Sequence, residues 1–231
     1  MSSYEATHAV SADVLREIMD SRWSCRGFED RPVPRADIER LLTMAQRAPS
    51  WSNIQPWEVT VVTGARLERL KADLVDYAKH ADVKPDLPFP GKYEGVFQER
   101  RRECGWQLYD AVGIAKGDRA ASMAQAMENF RFFGAPAMAL VTTEGELGPY
   151  GVLDCGVYLG YFLLAAQSLG LGAIAQASVA GHADFFRREL EVPANRQILA
   201  GVSFGYPDHS HVTAGFRTTR ASIADVASFV Q

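Results

Sequence analysis

From Cys155 to Ala180 the chain carries no charged residue. A run this apolar must be buried in protein or lie in a membrane, so it dictates the middle of any fold the chain adopts. Gln167, Ser168, Gly170, Gly172 and Gln176 interrupt it, and Gly170-Leu-Gly172 reads as a helix stop followed by a strand. The helix that remains, about Val152 to Leu169, is short for a membrane span and carries Asp154 in its first turn. The pattern predicts a helix apolar on every side and buried in protein. In a chain of 231 residues that requires a central position or a subunit interface.

A second stretch carries the chemistry. Arg22, Ser24 and Arg26 alternate with Trp23 and Cys25. In an extended segment alternate side chains point the same way, so two guanidinium groups and a hydroxyl face one partner. Forked arginine donors suit a phosphate. Further on, Pro49-Ser-Trp-Ser-Asn-Ile-Gln-Pro-Trp57 has the composition of an ordered polar loop. Trp57 opens a strand and is expected to plug the core. The amides of Asn53 and Gln55 need partners if buried, and a flat heterocycle would supply them. The chain has no GxGxxG turn and no GxxxxGK[ST] loop. Any phosphate must therefore be held by side chains, with Arg217 and Arg220 of the tail as further candidates.

A formal net charge of -4 argues against nucleic acid as a partner, and Arg100 to Arg102 read as a solvated helix face. Cys25, Cys104 and Cys155 lie far apart without CxxC spacing, which fits a reducing cytoplasm and neither a disulfide nor a zinc site. His8, His80, His182, His209 and His211 are scattered, so no metal is expected. MSSYEATHAV at the start does not read as a signal peptide, and no membrane association is expected.

Periodicity predicts a first helix capped by Ser11 and ending near Asp20, then helices over Ile38–Ala45 and from Leu67 to about His80. Residues 81–95 read as irregular, and Phe97 to Phe133 as helical with a break at Gly113 to Gly117. Strands are expected at Glu58–Thr63, Met138–Thr142, Ala173–Ser178 and Ile198–Phe204, with a short helix at Asp184–Leu190 and a last one capped by Ser222. This irregular alternation predicts an α+β fold, a sheet core flanked by helices.

No Ser-His-Asp arrangement, paired carboxylates or reactive-cysteine context stands out, so a cofactor is expected to do the chemistry. Arg22-Trp-Ser-Cys-Arg26 taken with Pro49-Ser-Trp-Ser-Asn-Ile-Gln-Pro-Trp57 resembles the FMN-dependent nitroreductase family. Gly134-Ala-Pro136 before a strand, the apolar helix ending at Gly170-Leu-Gly172, and Gly205-Tyr-Pro207 before the tail extend the resemblance in the family's order. It implies one nitroreductase-like domain over residues 1–231. Its central sheet would be mixed but mainly antiparallel and flanked by helices, with a variable helical lid at about 85–133 and an extended C-terminal tail.

The same resemblance implies roles. Arg22, Trp23, Ser24, Cys25 and Arg26 would bind the phosphate and ribityl chain of FMN, with Arg26 near the flavin N1–O2 edge. Pro49, Ser50, Trp51 and Asn53 would line the cofactor site of the partner subunit in a homodimer. Ala175, Gln176 and Ala177 would lie against the flavin, and Arg217 or Arg220 would reach the phosphate. Some relatives carry Pro-x-Glu-Gly where this chain has Gln-Ala-Ser-Val, so the amide facing N5 stays open, as does the choice of tail arginine. No side chain is expected to be catalytic. NADPH or NADH would deliver hydride, and nitroaromatic compounds would be reduced to hydroxylamines by ping-pong turnover. Tyr93, Trp106 and Tyr109 are the lid candidates for a small aromatic substrate, whereas Phe130 to Phe133 read as core. Two other readings stand beside this one. Reductive dehalogenation of halotyrosine-like substrates needs an acid, a phenol and an amine in the lid, where the run Glu94 to Tyr109 offers Glu99, Glu103 and Tyr109 but no lysine until Lys116. A non-catalytic protein that binds or consumes flavin is the third.

Overall fold

The computed structural model describes residues 3–231, with side chains from Val10 onward, so His8 lies outside the described residues. Helix α1 (Ser3–Ser21) runs into an extended segment, then α2 (Arg35–Ala45), strand β1 (Trp57–Thr63) and α3 (Gly64–Ala78). Helices α4 (Gly95–Ala111) and α5 (Arg119–Met127) precede β2 (Ala137–Glu144), the long α6 (Gly148–Ser168), β3 (Gly172–Gln176), α7 (Ala177–Ala180), α8 (Ala183–Glu189) and β4 (Arg196–Gly205). The four strands form one sheet in the order β1-β2-β4-β3, every neighbouring pair antiparallel. An isolated parallel bridge from Ser24 to Ala173 adds the arginine-rich segment to the edge of β3, which gives the sheet its mixed character.

The sheet is covered on both faces. Ala137, Ala139 and Val141 of β2 join the cluster built with α2 and α6, around Leu41, Tyr158, Phe162 and Phe204. Met138 and Leu140, one residue out of phase, join the opposite cluster of Leu67, Leu70, Leu74, Phe132, Phe185 and Phe186. The period of two along a strand produces this division, and burial on both faces explains why β2 is apolar without alternation. Trp57 stacks on Tyr158 with ring centroids 4.9 Å apart and plugs the core as expected.

Several boundaries move. Ser11 lies inside α1 and does not cap it. Helix α6 begins about a turn earlier than periodicity predicts, because Pro149 sits in its first turn, where a missing N–H costs nothing. Asp154 is therefore beyond the first turn. Strand β3 ends at Gln176, as α7 takes Ala177 and Ser178. Ser222 caps a single 3-10 turn, Ile223–Asp225, by a reciprocal capping box. The lid break is where it was expected, with Gly113 and Gly117 at positive φ. Helix α6 is not buried on every side, as Tyr150, Leu153 and Tyr161 are exposed.

His182 is 3% exposed and faces the edges of Tyr77 and Phe130, and its Nδ1 has no partner among the described residues. Burial lowers its pKa. The unfolded imidazole binds a proton near about pH 6.5 while the folded one resists, so stability is full above that pH and is lost as pH falls toward the folded value. His182→Phe should flatten the decline in urea midpoint between roughly pH 7 and pH 5. An unchanged slope would assign the decline to other groups.

Candidate functional site: an arginine pocket at the sheet edge

As the chain leaves α1, the Arg22 amide still donates to the Ile18 carbonyl at 3.1 Å. The segment then extends along β3, with the Cys25 amide donating to the Ala173 carbonyl at 3.2 Å. It continues onto the turn after β4, where the Glu29 amide donates to the Tyr206 carbonyl and the Asp208 amide to the Gly27 carbonyl. The alternation expected from sequence holds for Cys25 but not for Trp23, which shares the outward side with Arg22, Ser24 and Arg26. The Cys25 side chain turns inward, its thiol donating to the Gly27 carbonyl at 3.1 Å. Arg22, Ser24 and Arg26 turn outward onto one pocket of about 280 Å³, shared with Trp23, Cys104, Phe216, Thr218 and Arg220.

Among the described residues, Arg22, Arg26, Arg217 and Arg220 form no ion pair within 4 Å. Asp20 is the only carboxylate on the pocket wall among the described residues. Burial lowers the pKa of Arg22, and the charges of Arg220 and Arg217 lower it further. Uncompensated cations held together in this way call for an anion. A larger cleft of about 990 Å³ beside α3 lacks this character, because its Lys71 and Arg131 pair with Glu68 and Glu128 at 2.7 and 2.9 Å.

The two tail arginines separate. Arg217 lies 4.3 Å over the Trp23 ring and donates to the carbonyls of Ala214 and Phe216, off the pocket wall. Arg220 is on the wall. Arg26 donates to the Ser24 carbonyl at 3.1 Å and lies 5.8 Å from the ring centres of both Phe133 and Phe216. Phe133 and its neighbour Phe132 both have positive φ, a strained turn that brings Phe133 beneath Arg26. Phe216, Thr218 and Cys104 were not expected on this wall, since only tertiary structure brings the tail and α4 to it.

Pro49, Ser50, Trp51 and Asn53 do not line this pocket in the same chain. The Asp154 carboxylate holds their loop, its two oxygens 3.2 and 3.1 Å from the Trp51 amide, while Trp51 meets Tyr150 edge-on at 4.5 Å. The one acid in an otherwise uncharged helix was the signal for this role. Gln55 is satisfied within the protein, donating to the Asn53 carbonyl and accepting from Gln46. The exposed side-chain amide of Asn53 has no partner among the described residues. At the other end of the site, Ala175 and Ala177 are exposed and Gln176 is buried. The Gln176 side chain donates to the Asn129 carbonyl at 2.8 Å and accepts from the Ser203 hydroxyl, so only its backbone is available to a ligand. The Cys25 side chain is likewise structural.

In the lid, Trp106 and Tyr109 meet at 78° with centroids 6.1 Å apart and line a slot of about 420 Å³ facing α5 and Met123. Tyr109 also walls a smaller cavity with Arg26, Asn129 and Phe133, which places it next to the arginine pocket. Tyr93 stands apart, under Arg101 at 5.3 Å.

A sheet with an edge-bound arginine pocket and a helical lid is the architecture expected from the sequence motifs, and a sequence profile of the nitroreductase family matches residues 19–206. The chain belongs to that family. It is 35% identical over 221 residues to the nitroreductase NfnB of Mycolicibacterium smegmatis, covering 94% of this chain and 93% of the relative. A 4-nitrobenzoate reductase of Pseudomonas putida is 31% identical, over 92% of this chain and 93% of its own length. The crystal structure of the FMN-dependent nitroreductase NfnB from Mycobacterium smegmatis in complex with NADPH superposes with a TM-score of 0.91 at 34% identity, over 95% of this chain and 99% of that one.

Cys25 and Cys155 are buried, and burial above all pushes both thiols up to about 11, while Cys104 is exposed beside the arginines. Folded protein should therefore react rapidly with Ellman's reagent at a single thiol, and Cys104→Ser should abolish that phase. A second thiol reacting at the same rate would contradict this assignment.

Proposed function

We propose that this chain is an FMN-dependent oxidoreductase that uses NADPH or NADH to reduce nitroaromatic compounds to hydroxylamines. It works as a cytoplasmic homodimer with each cofactor at the subunit interface. The observation that carries the reading is the arginine pocket, whose cations lack an anion and whose position beside β3 suits a phosphorylated flavin. Bound FMN supplies the two-electron chemistry that no side chain here offers.

The protein's part is to hold and orient that group. Arg22, Arg26 and Arg220, with the Ser24 hydroxyl, take the phosphate end, and a dianion there relieves the repulsion between the guanidinium groups. Arg217 braces Trp23 and acts through packing. Ala175 and Ala177 present small exposed side chains against which a flat ring can lie. Strand geometry sends the backbone groups of Ala175 to the same open edge where the Ala173 carbonyl meets Cys25. The slot between Trp106 and Tyr109 takes the aromatic substrate, within the lid of about residues 85–133.

The dimer follows from what one chain leaves uncovered. Tyr150, Leu153 and Tyr161 of α6 and the nearby Trp51 are exposed, and a second copy burying them would give the uncharged helix its full cover. The loop of Pro49, Ser50, Trp51 and Asn53 would then complete the neighbour's cofactor site, where the free amide of Asn53 finds its partner. Three cysteines without a disulfide suit a reducing compartment. The dehalogenase reading is weaker, because Glu99 and Glu103 face the tail and not the Trp106–Tyr109 slot, and Glu103 is engaged by Thr219.

Purified protein reconstituted with FMN should be yellow and should oxidise NADPH at a rate that depends on 4-nitrobenzoate. Arg220→Gln should weaken FMN binding by roughly 10- to 100-fold, the value of one charge-assisted hydrogen bond, and Arg217→Gln by less. Protein that stays colourless after reconstitution would sink the reading. A yellow protein inert to both NADH and NADPH would point to flavin binding without catalysis.

A further inference from the structure

Helix α4 has no buried residue, yet one of its faces is occupied. Val96, Arg100, Glu103 and Gln107 recur at helical spacing and look across a cleft of about 820 Å³ toward the tail. One hydrogen bond ties the sides together. The Thr219 hydroxyl donates to the Glu103 carboxylate at 2.9 Å. One helical turn away, Arg100 and Asp225 line the same cleft from its two sides. Cys104, Thr218 and Arg220 form walls of both this cleft and the arginine pocket, so the two cavities share a boundary. Arg220 is folded onto the same few residues, its Nη1 donating to the Thr218 carbonyl, the Thr218 hydroxyl and the Thr219 carbonyl.

We infer that Glu103 and Thr219 are positioning residues, a latch between the lid helix and the tail that holds Arg220 on the wall of the arginine pocket. The inference rests on reading that pocket as the FMN phosphate site. Residues 217–231 are exposed throughout, so no core packing fixes the Arg220 side chain. Ordering a free arginine costs side-chain entropy, and a tail already tied to α4 arrives with part of that cost met. The neutral hydroxyl between the two charges matters. Glu103 secures the tail through Thr219 while making no ion pair with Arg220 among the described residues, so the guanidinium charge stays available. The coupling is reciprocal: a phosphate gripped by Arg220 stabilises the tail against α4, and cofactor binding thereby fastens the lid.

Riboflavin, which lacks the phosphate, separates this role from a merely structural one. Fluorescence titrations of FMN and riboflavin should be run on the wild type, Thr219→Val, Thr219→Ser, Arg220→Gln and the double variant Thr219→Val/Arg220→Gln. Thr219→Val should weaken FMN binding about tenfold, the worth of one hydrogen bond, and leave riboflavin unchanged. Thr219→Ser keeps the hydroxyl and should bind both as the wild type does. The double variant should be no weaker than Arg220→Gln alone, because Thr219 acts only through Arg220. Equal losses for FMN and riboflavin, no loss for either, or additive losses in the double variant would each overturn the latch. A wild type that binds FMN no tighter than riboflavin would remove the phosphate reading itself, and the latch with it.

Discussion

The hydrogen bond from the Cys25 amide to the Ala173 carbonyl, 3.2 Å long, is the joint on which the site depends. It sets the register of an otherwise free segment against the edge of β3. Register in turn decides which side chains face outward. Cys25 turns in against Gly172, where an added Cβ would lie 2.7 Å from the thiol sulfur. Arg22, Ser24 and Arg26 therefore turn out. A slip of one residue would bury guanidinium groups and expose a thiol, at a desolvation cost no local contact could offset. The same logic holds at Gly27, where a Cβ would overlap the His211 ring, so the tail can pack directly onto the segment and bring Phe216 and Arg220 to the pocket.

The parts legible in the sequence are those that a repeating pattern controls. The out-of-phase residues of β2, the helical spacing of Leu67, Leu70 and Leu74, and the alternation of Arg22, Ser24 and Arg26 all have short periods that survive in any tertiary context. Single long-range contacts carry the rest and leave no period. Whether Arg217 or Arg220 faces the pocket depends on Trp23 capturing the former. Gln176 carries a polar side chain that Asn129 and Ser203 consume entirely, and nothing near position 176 announces those partners. Helix α6 starts about a turn before its apolar spacing begins, because Pro149 occupies a first-turn position that periodicity does not mark.

Stability and adaptability are divided between parts of the molecule. The sheet with α2, α3, α6, α7 and α8 contains most of the fully buried side chains, while α4 and α5 have no buried residue. Helices without buried faces gain little from packing, so their stability sits at the low end of the molecule's range. A weakly packed pair of helices can be displaced at small cost. Its aromatic surface can vary without disturbing the core, which is why substrate preference is the least legible property of such a chain. The strained Phe132–Phe133 turn lies at the border between the two regimes, anchored by the fully buried Phe132 while Phe133 supports Arg26.

Electrostatics explain how a chain with a formal net charge of -4 can still hold an anion. Elsewhere, the partly buried arginines are matched: Arg66 pairs with Glu189 at 3.2 Å, Arg187 with Asp86 at 2.9 Å and Arg196 with Glu58 at 3.2 Å. At the sheet edge they are unmatched, and burial of Arg22 and Arg26 limits the screening that water would provide. The field is therefore strong over a few ångströms and weak beyond about one Debye length, roughly 10 Å. A compact phosphate can enter it and satisfy several guanidinium groups at once. An extended polyanion would meet the acidic remainder of the surface, so the arrangement favours a small anion over a nucleic acid.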